Sequence, residues 1–196
     1  DWFINSEKLP KGLKSIADQI HAMDMQFGLW IEPEMISFES ELYKSHPEYL
    51  LSSKDRNPTP SRTQYVLDYS SKEVVDHIYN QLCLVFDELE LDYVKWDMNR
   101  PLVQQYSLLT QKLVPNINYV KGVYDLIKRL KQRYPKILFE ACAGGGGRFD
   151  WGILNYFPQV WTSDNTDAIE RLKIQEGSVL IFPQKTMGAH ASDVPN

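Results

Sequence analysis

Cysteine is scarce, with only Cys83 and Cys142 in 196 residues. Two thiols cannot build a disulfide framework, nor a zinc site by themselves. Positive charge is short as well: 21 Lys and Arg stand against 26 Asp and Glu, a net charge of −5 with no basic run. That excludes the clustered cations by which proteins hold nucleic-acid phosphates. Long apolar runs are missing; a stretch such as Val179–Phe182 is far below the roughly 20 residues that span a bilayer. Nothing like a secretory leader stands ahead of Asp1-Trp2-Phe3, so a soluble, cytoplasmic protein is expected. What remains, 43% hydrophobic and 24% charged residues, suits one domain, or a slice of a larger one, with a sizeable core.

Short β-rich runs alternate with amphipathic stretches along the chain. The runs are Gln26–Ile31, Thr63–Leu67, Tyr93–Trp96, Ile137–Cys142, Val160–Ser163 and Ser178–Phe182. Nearly continuous in apolar or aromatic residues, they read as parallel strands buried on both faces. Between them the helical period predicts Pro10–Met23, with Leu13, Ile16, Ile20 and Met23 on one face, and Tyr119–Arg133, with Val120, Val123, Ile127 and Leu130. Ser70 and Glu73 have capping-box spacing ahead of Val74, Ile78, Leu82 and Val85. Thr166 is a candidate cap for a last helix that Gly177 closes.

This β-α-β-α order predicts a mostly parallel sheet, either open and doubly wound or closed as a (β/α)8 barrel. Strand after strand exits into polar residues: Glu32 and Glu34, Asp68, Asp97 and Asn99, Cys142, Asp164. An open sheet gathers its site at one switch point, whereas a barrel draws it from many strand ends. The barrel is the better fit. Six predicted strands in 196 residues fall short of eight in about 250, so the barrel is expected to be incomplete. The segment from Ser37 to Arg62, with Pro47, Pro58 and Pro60, reads either as a site rim or as a plain surface loop.

Chemistry concentrates in a few segments. In Val94-Lys95-Trp96-Asp97-Met98-Asn99-Arg100, Lys95 and Asp97 are two apart on a strand and share a face. They read either as a nucleophilic carboxylate kept ionised by its Lys or as a structural ion pair. Asp164 closes the Trp161-Thr162-Ser163-Asp164 strand and is either a turn residue or a catalytic acid, while Asp167 complements a helix dipole. Two carboxylates on facing strand ends are what glycoside hydrolysis requires. Trp30, Trp96 and Trp161 are each either sugar platforms or core. The Gly144–Gly147 run lacks both the P-loop Lys-Ser/Thr and the G-x-G-x-x-G spacing, leaving a tight turn that lets the backbone approach a ligand closely. By its chemistry alone, Cys142 reads as an inert buried thiol.

Taken together these segments resemble the catalytic barrel of glycoside hydrolase family 36, the α-galactosidases or melibiases. The matching pieces are Gly28–Met35, Gln64–Asp68, Lys95–Arg100, Cys142–Arg148 and Trp161–Asp164 running on through Arg171, in order over nearly the whole chain. The resemblance implies that Asp97 is the nucleophile and Asp164 the acid/base. It implies further that Trp30, Arg62, Lys95, Asn99 and Cys142 bind the sugar, which overrules the inert reading of that thiol. Lys95 is then expected to hold Asp97 ionised.

Family members carry an Asp-Asp pair ending the first barrel strand, and Asp1-Trp2-Phe3 resembles the stretch just downstream of it. The expectation is therefore a partial TIM barrel over residues 1–196 with about strands two to seven. The family's N-terminal β-sandwich, eighth strand and C-terminal β-domain would be absent. The implied activity is retaining hydrolysis of terminal non-reducing α-D-galactosides such as melibiose and raffinose, with no cofactor and no metal. The alternatives are galactosyl transfer of the raffinose or stachyose synthase type, and an inactive fragment that binds sugar weakly. The implied partner is a galactoside oligosaccharide, with neither nucleic acid nor membrane, and the full-length enzyme is expected to be a homo-oligomer.

Overall fold

A computed structural model describes residues 2–189; Asp1, the first residue of the stretch likened to the segment after the family's first strand, lies outside the described residues, as do residues 190–196. In chain order the strands are β1 (Gly28–Ile31), β2 (Met35–Ser37), β3 (Leu51–Ser52), β4 (Gln64–Val66), β5 (Tyr93–Trp96), β6 (Tyr106–Ser107), β7 (Lys112–Leu113), β8 (Leu138–Ala141), β9 (Gln159–Trp161) and β10 (Met187–Gly188). The α-helices are α1 (Lys14–Ala22), α2 (Glu41–Ser45), α3 (Lys72–Leu89), α4 (Asn116–Arg133), α5 (Trp151–Leu154) and α6 (Ala168–Val179). They fall into two compact units. One takes in the residues up to Phe27, Pro33–Asp92 and Pro101–Lys136; the other takes in Gly28–Glu32, Tyr93–Arg100 and the residues from Ile137 on.

The second unit is a five-stranded parallel sheet in the order β1-β5-β8-β9-β10. Strand order follows chain order without reversal. A doubly wound sheet reverses at its switch point, whereas a barrel adds each strand beside the last, so the sheet is part of a (β/α)8-type wall. Register assigns the faces: Ile31 pairs with Trp96, Trp96 with Ala141, and Ala141 with Val160. Those side chains, with Val94 and Phe139, are all buried, and the rings of Trp96 and Phe139 meet Phe157 at 6.2 and 6.4 Å between centroids. Removing the Phe157 ring should destabilise the fold by about 3–5 kcal/mol, because truncation leaves a cavity against the rings of two strands. Urea denaturation of Phe157→Ala checks this.

In the first unit, α3 and α4 bury most of the predicted stripes, Val74, Ile78 and Leu82 on one and Val123, Ile127 and Leu130 on the other, while Val85 and Val120 are half-buried. Gly122 in α4 cannot carry a side chain, because a Cβ there would stand 1.7 Å from the Tyr69 carbonyl oxygen. One turn earlier the Tyr119 hydroxyl donates to Glu34 Oε2 at 2.6 Å, giving a fully buried carboxylate a strong partner.

Several expected elements differ. The Thr63–Leu67 run does form β4, but it pairs antiparallel with β2, Ile36 opposite Tyr65. Tyr65 keeps one half-buried face against Phe38 and Tyr43, unlike a strand sandwiched on both sides. Asp68 consequently lies in the first unit, where its Oδ1 accepts from the Ser70 N–H and hydroxyl. Ser178–Phe182 is no strand. Helix α6 runs through Gly177 to Val179, and the Ile181 and Phe182 N–H groups turn back to the Ser178 carbonyl. Two of the six expected parallel strands thus drop out, and β10, which the apolar runs did not foresee, joins the remaining four to make five among the described residues. Caps also shift by a residue: Ser71, not Ser70, is the N-cap of α3, and Glu73 accepts from the Tyr49 hydroxyl instead. Asp167, not Thr166, caps α6, accepting from the Ile169 and Glu170 N–H groups at 3.0 and 2.9 Å.

Candidate active site

Where β1 and β5 end, their polar residues meet. Asp97 follows β5, with its N–H donating to the Ile31 carbonyl at 2.8 Å, so parallel pairing continues one residue past the strand. Its carboxylate is 6% exposed and well supplied with donors. Oδ2 accepts from the Trp30 indole at 3.0 Å and the Asn99 amide at 2.8 Å, and Oδ1 from the Met98 N–H at 2.8 Å. Burial pushes this carboxyl up, but the bonds from Asn99, Trp30, the Cys142 thiol and the Met98 N–H together hold it below the usual carboxylate range. Asn99 is itself fixed by Glu32, whose Oε1 accepts from its N–H and its side-chain amide at 3.0 and 2.8 Å.

A lowered folded-state pKa has a sign. The stability from Asp97 is fully present above the unfolded value of about 3.9 and is lost as pH falls through the lower folded value. Asp97→Asn should therefore flatten the acid limb of stability against pH, measured by denaturation between about pH 2 and 6.

Cys142 begins the turn after β8, and its N–H donates to the Trp96 carbonyl at 2.7 Å. Burial, with the Asp97 carboxylate beside it, raises the thiol to about 12. At neutral pH it is protonated and serves as a donor to Asp97, not as a nucleophile. Lys95 corrects an expectation. Its ammonium pairs with Glu140 Oε1 at 3.3 Å and lies over the Trp161 ring, 4.3 Å from the centroid. Asp97 is kept ionised by neutral hydrogen-bond donors rather than by this Lys.

Asp164 stands in the turn after β9, exposed, with Oδ1 accepting from the Trp161 indole at 3.0 Å. The glycine turn sets this segment in place. Gly144 and Gly145 have φ of 56° and 83°, and a Cβ on Gly145 would lie 2.7 Å from Ser163 Cα and 3.0 Å from the Asp164 nitrogen. The same turn faces Asn99, whose Oδ1 is 4.0 Å from a Cβ built on Gly144. The glycines thus permit an approach that the sequence reading did not foresee, to the backbone carrying Asp164 rather than to a ligand. Arg171 ties the segment down from α6, donating to the Ser163 and Gly188 carbonyls at 3.0 Å each.

Trp30, Lys95, Asp97, Asn99, Cys142 and Asp164 all belong to the second unit. Arg62 belongs to the first, exposed and in the left-handed region at φ 54° just before β4. Of the three candidate platforms, Trp30 is 51% exposed, whereas Trp96 is wholly core and Trp161 lies beneath two cations, Lys95 and Arg171. Reading the sequence noted Glu32 at a strand exit and Arg171 at the end of a matching segment without giving either a role, and it missed Glu140 as part of the site. A signal existed for Glu140: a lone charge inside the apolar run Leu138-Phe139-Glu140-Ala141. Among the described residues no cluster of three or more His, Cys, Asp or Glu could hold a metal ion, and no helix is long and apolar enough to cross a membrane.

The Melibiase family profile matches residues 1–196. The chain belongs to the melibiase family. Among its relatives is alpha-galactosidase Mel36A of Lactobacillus acidophilus, 52% identical over all of this chain and 27% of that protein. The bifunctional alpha-galactosidase/sucrose kinase AgaSK of Mediterraneibacter gnavus is 48% identical over all of this chain and 20% of that protein. The crystal structure of a variant of the GH36 alpha-galactosidase AgaA from Geobacillus stearothermophilus, in complex with raffinose, superposes with a TM-score of 0.93 at 47% identity; it matches all of this chain and 28% of its own. This melibiase chain thus spans about a fifth to a little over a quarter of the length of these alpha-galactosidases.

Proposed function

We propose that this chain carries the catalytic centre of a retaining α-galactosidase acting on terminal non-reducing α-D-galactosides such as melibiose and raffinose. The observation that carries the reading is Asp97, a buried carboxylate held ionised at a strand end beside the exposed Trp30. The relatives named alpha-galactosidase, one with raffinose bound, support it. In this reading Asp97 attacks the anomeric carbon, while protonated Asp164 gives its proton to the leaving oxygen. Asp164 then takes a proton from water, which hydrolyses the galactosyl-enzyme. Trp30 covers a sugar face or edge, Arg62, Lys95 and Asn99 contact hydroxyls, and the Cys142 thiol lines the pocket. No cofactor takes part in this course.

The reading extends to a cytoplasmic, homo-oligomeric full-length enzyme, with two buried free thiols in keeping with a reducing compartment. The net charge of −5 speaks for a sugar partner rather than a nucleic acid. The test is to give the protein carrying this chain nitrophenyl α-galactoside and follow the first-formed sugar by proton NMR. α-Galactose appearing first is expected; β-galactose first, or no hydrolysis, overturns the proposal. Transfer to excess acceptor sugar outrunning hydrolysis would point to the synthase alternative.

A further inference from the structure

We propose that Glu140 is the positioning residue for Lys95, fixing the ammonium at the point where the proposed site meets a sugar hydroxyl; the inference rests on the α-galactoside reading above. The sheet register places the two side by side, Lys95 on β5 opposite Glu140 on β8, and Glu140 opposite Gln159 on β9. All three side chains therefore project on the face that carries Trp30. The Lys95 ammonium contacts Glu140 Oε1 at 3.3 Å and rests on the Trp161 ring.

Glu140 is not a loose counterion. Its side chain is 5% exposed, and its other oxygen, Oε2, accepts from the Tyr93 hydroxyl at 2.6 Å and the Gln159 amide at 2.8 Å. Neighbouring glycines leave room for that arrangement. A Cβ on Gly188 of β10 would lie 3.1 Å from Gln159 Nε2 and 3.3 Å from Glu140 Oε2, and one on Gly28 would lie 2.8 Å from Tyr93 Cβ. Side chains from β5 and β9 thus hold this one carboxylate of β8, and Gly188 of β10 leaves it room.

The physical need is plain. Lysine carries a compact charge on a flexible four-carbon stem, and freezing such a side chain on binding costs affinity. Anchoring it beforehand removes most of that cost. An ammonium has three N–H donors, so one ion pair leaves it donor capacity for a hydroxyl.

The test is a double-mutant cycle in the protein carrying this chain, with Glu140→Gln, Lys95→Met and both together, assayed on nitrophenyl α-galactoside. Glu140→Gln is expected to raise KM about tenfold or more with a smaller change in kcat. In the Lys95→Met background it should add nothing, because its effect passes through the ammonium. Losses that multiply in the double variant would overturn the proposal, since a general structural role is additive. If Glu140→Gln does not fold, Tyr93→Phe removes one anchor of Oε2 and should raise KM more modestly, again only when Lys95 is present. Crystal structures of the parent and a folded variant give a readout independent of activity. An ammonium that leaves the Trp161 face supports the inference even if the galactoside reading fails, and one that stays put overturns it.

Discussion

Replacing Asp97 with Ala is expected to lower turnover of nitrophenyl α-galactoside and of raffinose alike by about 10⁴-fold or more, the scale seen when a covalent nucleophile is removed. The loss should ignore the leaving group, because without this carboxylate no glycosyl-enzyme forms on any substrate. The side chain is almost wholly buried and accepts from Trp30, Asn99 and the Met98 N–H, so Asp97→Asn belongs beside it as a variant that keeps shape while losing charge. Both should be inactive at unchanged substrate-independent properties such as secondary-structure content. Added azide provides the sharper check. It replaces the missing carboxylate on the face opposite the leaving group, so Asp97→Ala should form β-galactosyl azide. Residual turnover within tenfold of the parent, or α-galactosyl azide, would remove Asp97 from the nucleophile's role.

How much of this site was legible beforehand follows from what strand geometry does and does not encode. Alternation along Tyr93-Val94-Lys95-Trp96 correctly separates a core face, Val94 and Trp96, from a polar face bearing Lys95. It cannot name the partner of Lys95. Residues two apart on a strand are about 6.6–6.8 Å apart along the chain, whereas strand neighbours stand only about 4.8 Å away. The ion pair accordingly forms across the sheet with Glu140 rather than along the strand with Asp97. Register is a property of the assembled sheet, so Gln159 and Gly188 were equally invisible as neighbours of that carboxylate.

The misread segments have similar causes. An apolar run of Val179-Leu180-Ile181-Phe182 fits a buried strand and a helix end alike. Here the helix wins, and Phe182 stacks on Phe149 with centroids 3.9 Å apart. Gly177 does not stop that helix, since its backbone is not in the left-handed region a glycine cap requires. The four glycines after β8 are legible as a tight turn made for close approach, expected towards a ligand; that Ser163–Asp164 backbone lies against them emerges only in three dimensions.

That approach bears on the second large effect, Asp164→Ala. Formation of the galactosyl-enzyme from raffinose should fall by about 10³-fold or more, and first-turnover release of nitrophenol from nitrophenyl galactoside by much less, because general acid assistance is worth about 10²–10⁴-fold and matters where the departing oxygen is a poor leaving group. Nitrophenolate leaves without a proton, so formation of the galactosyl-enzyme at Asp97 survives, and only its hydrolysis slows for want of a base. A burst of nitrophenol followed by a slow steady state is the expected trace. Azide, needing no deprotonation, should speed that second phase and yield α-galactosyl azide, the opposite anomer from the Asp97 variant. The change should be local, since Asp164 is exposed and its carboxylate receives the Trp161 indole rather than a core contact. The segment's path is still set by the Gly145 contact and by Arg171 on the Ser163 carbonyl. Equal losses in the first step on both substrates, with no burst and no azide response, would mean that Asp164 is a turn residue and that the proton comes from elsewhere.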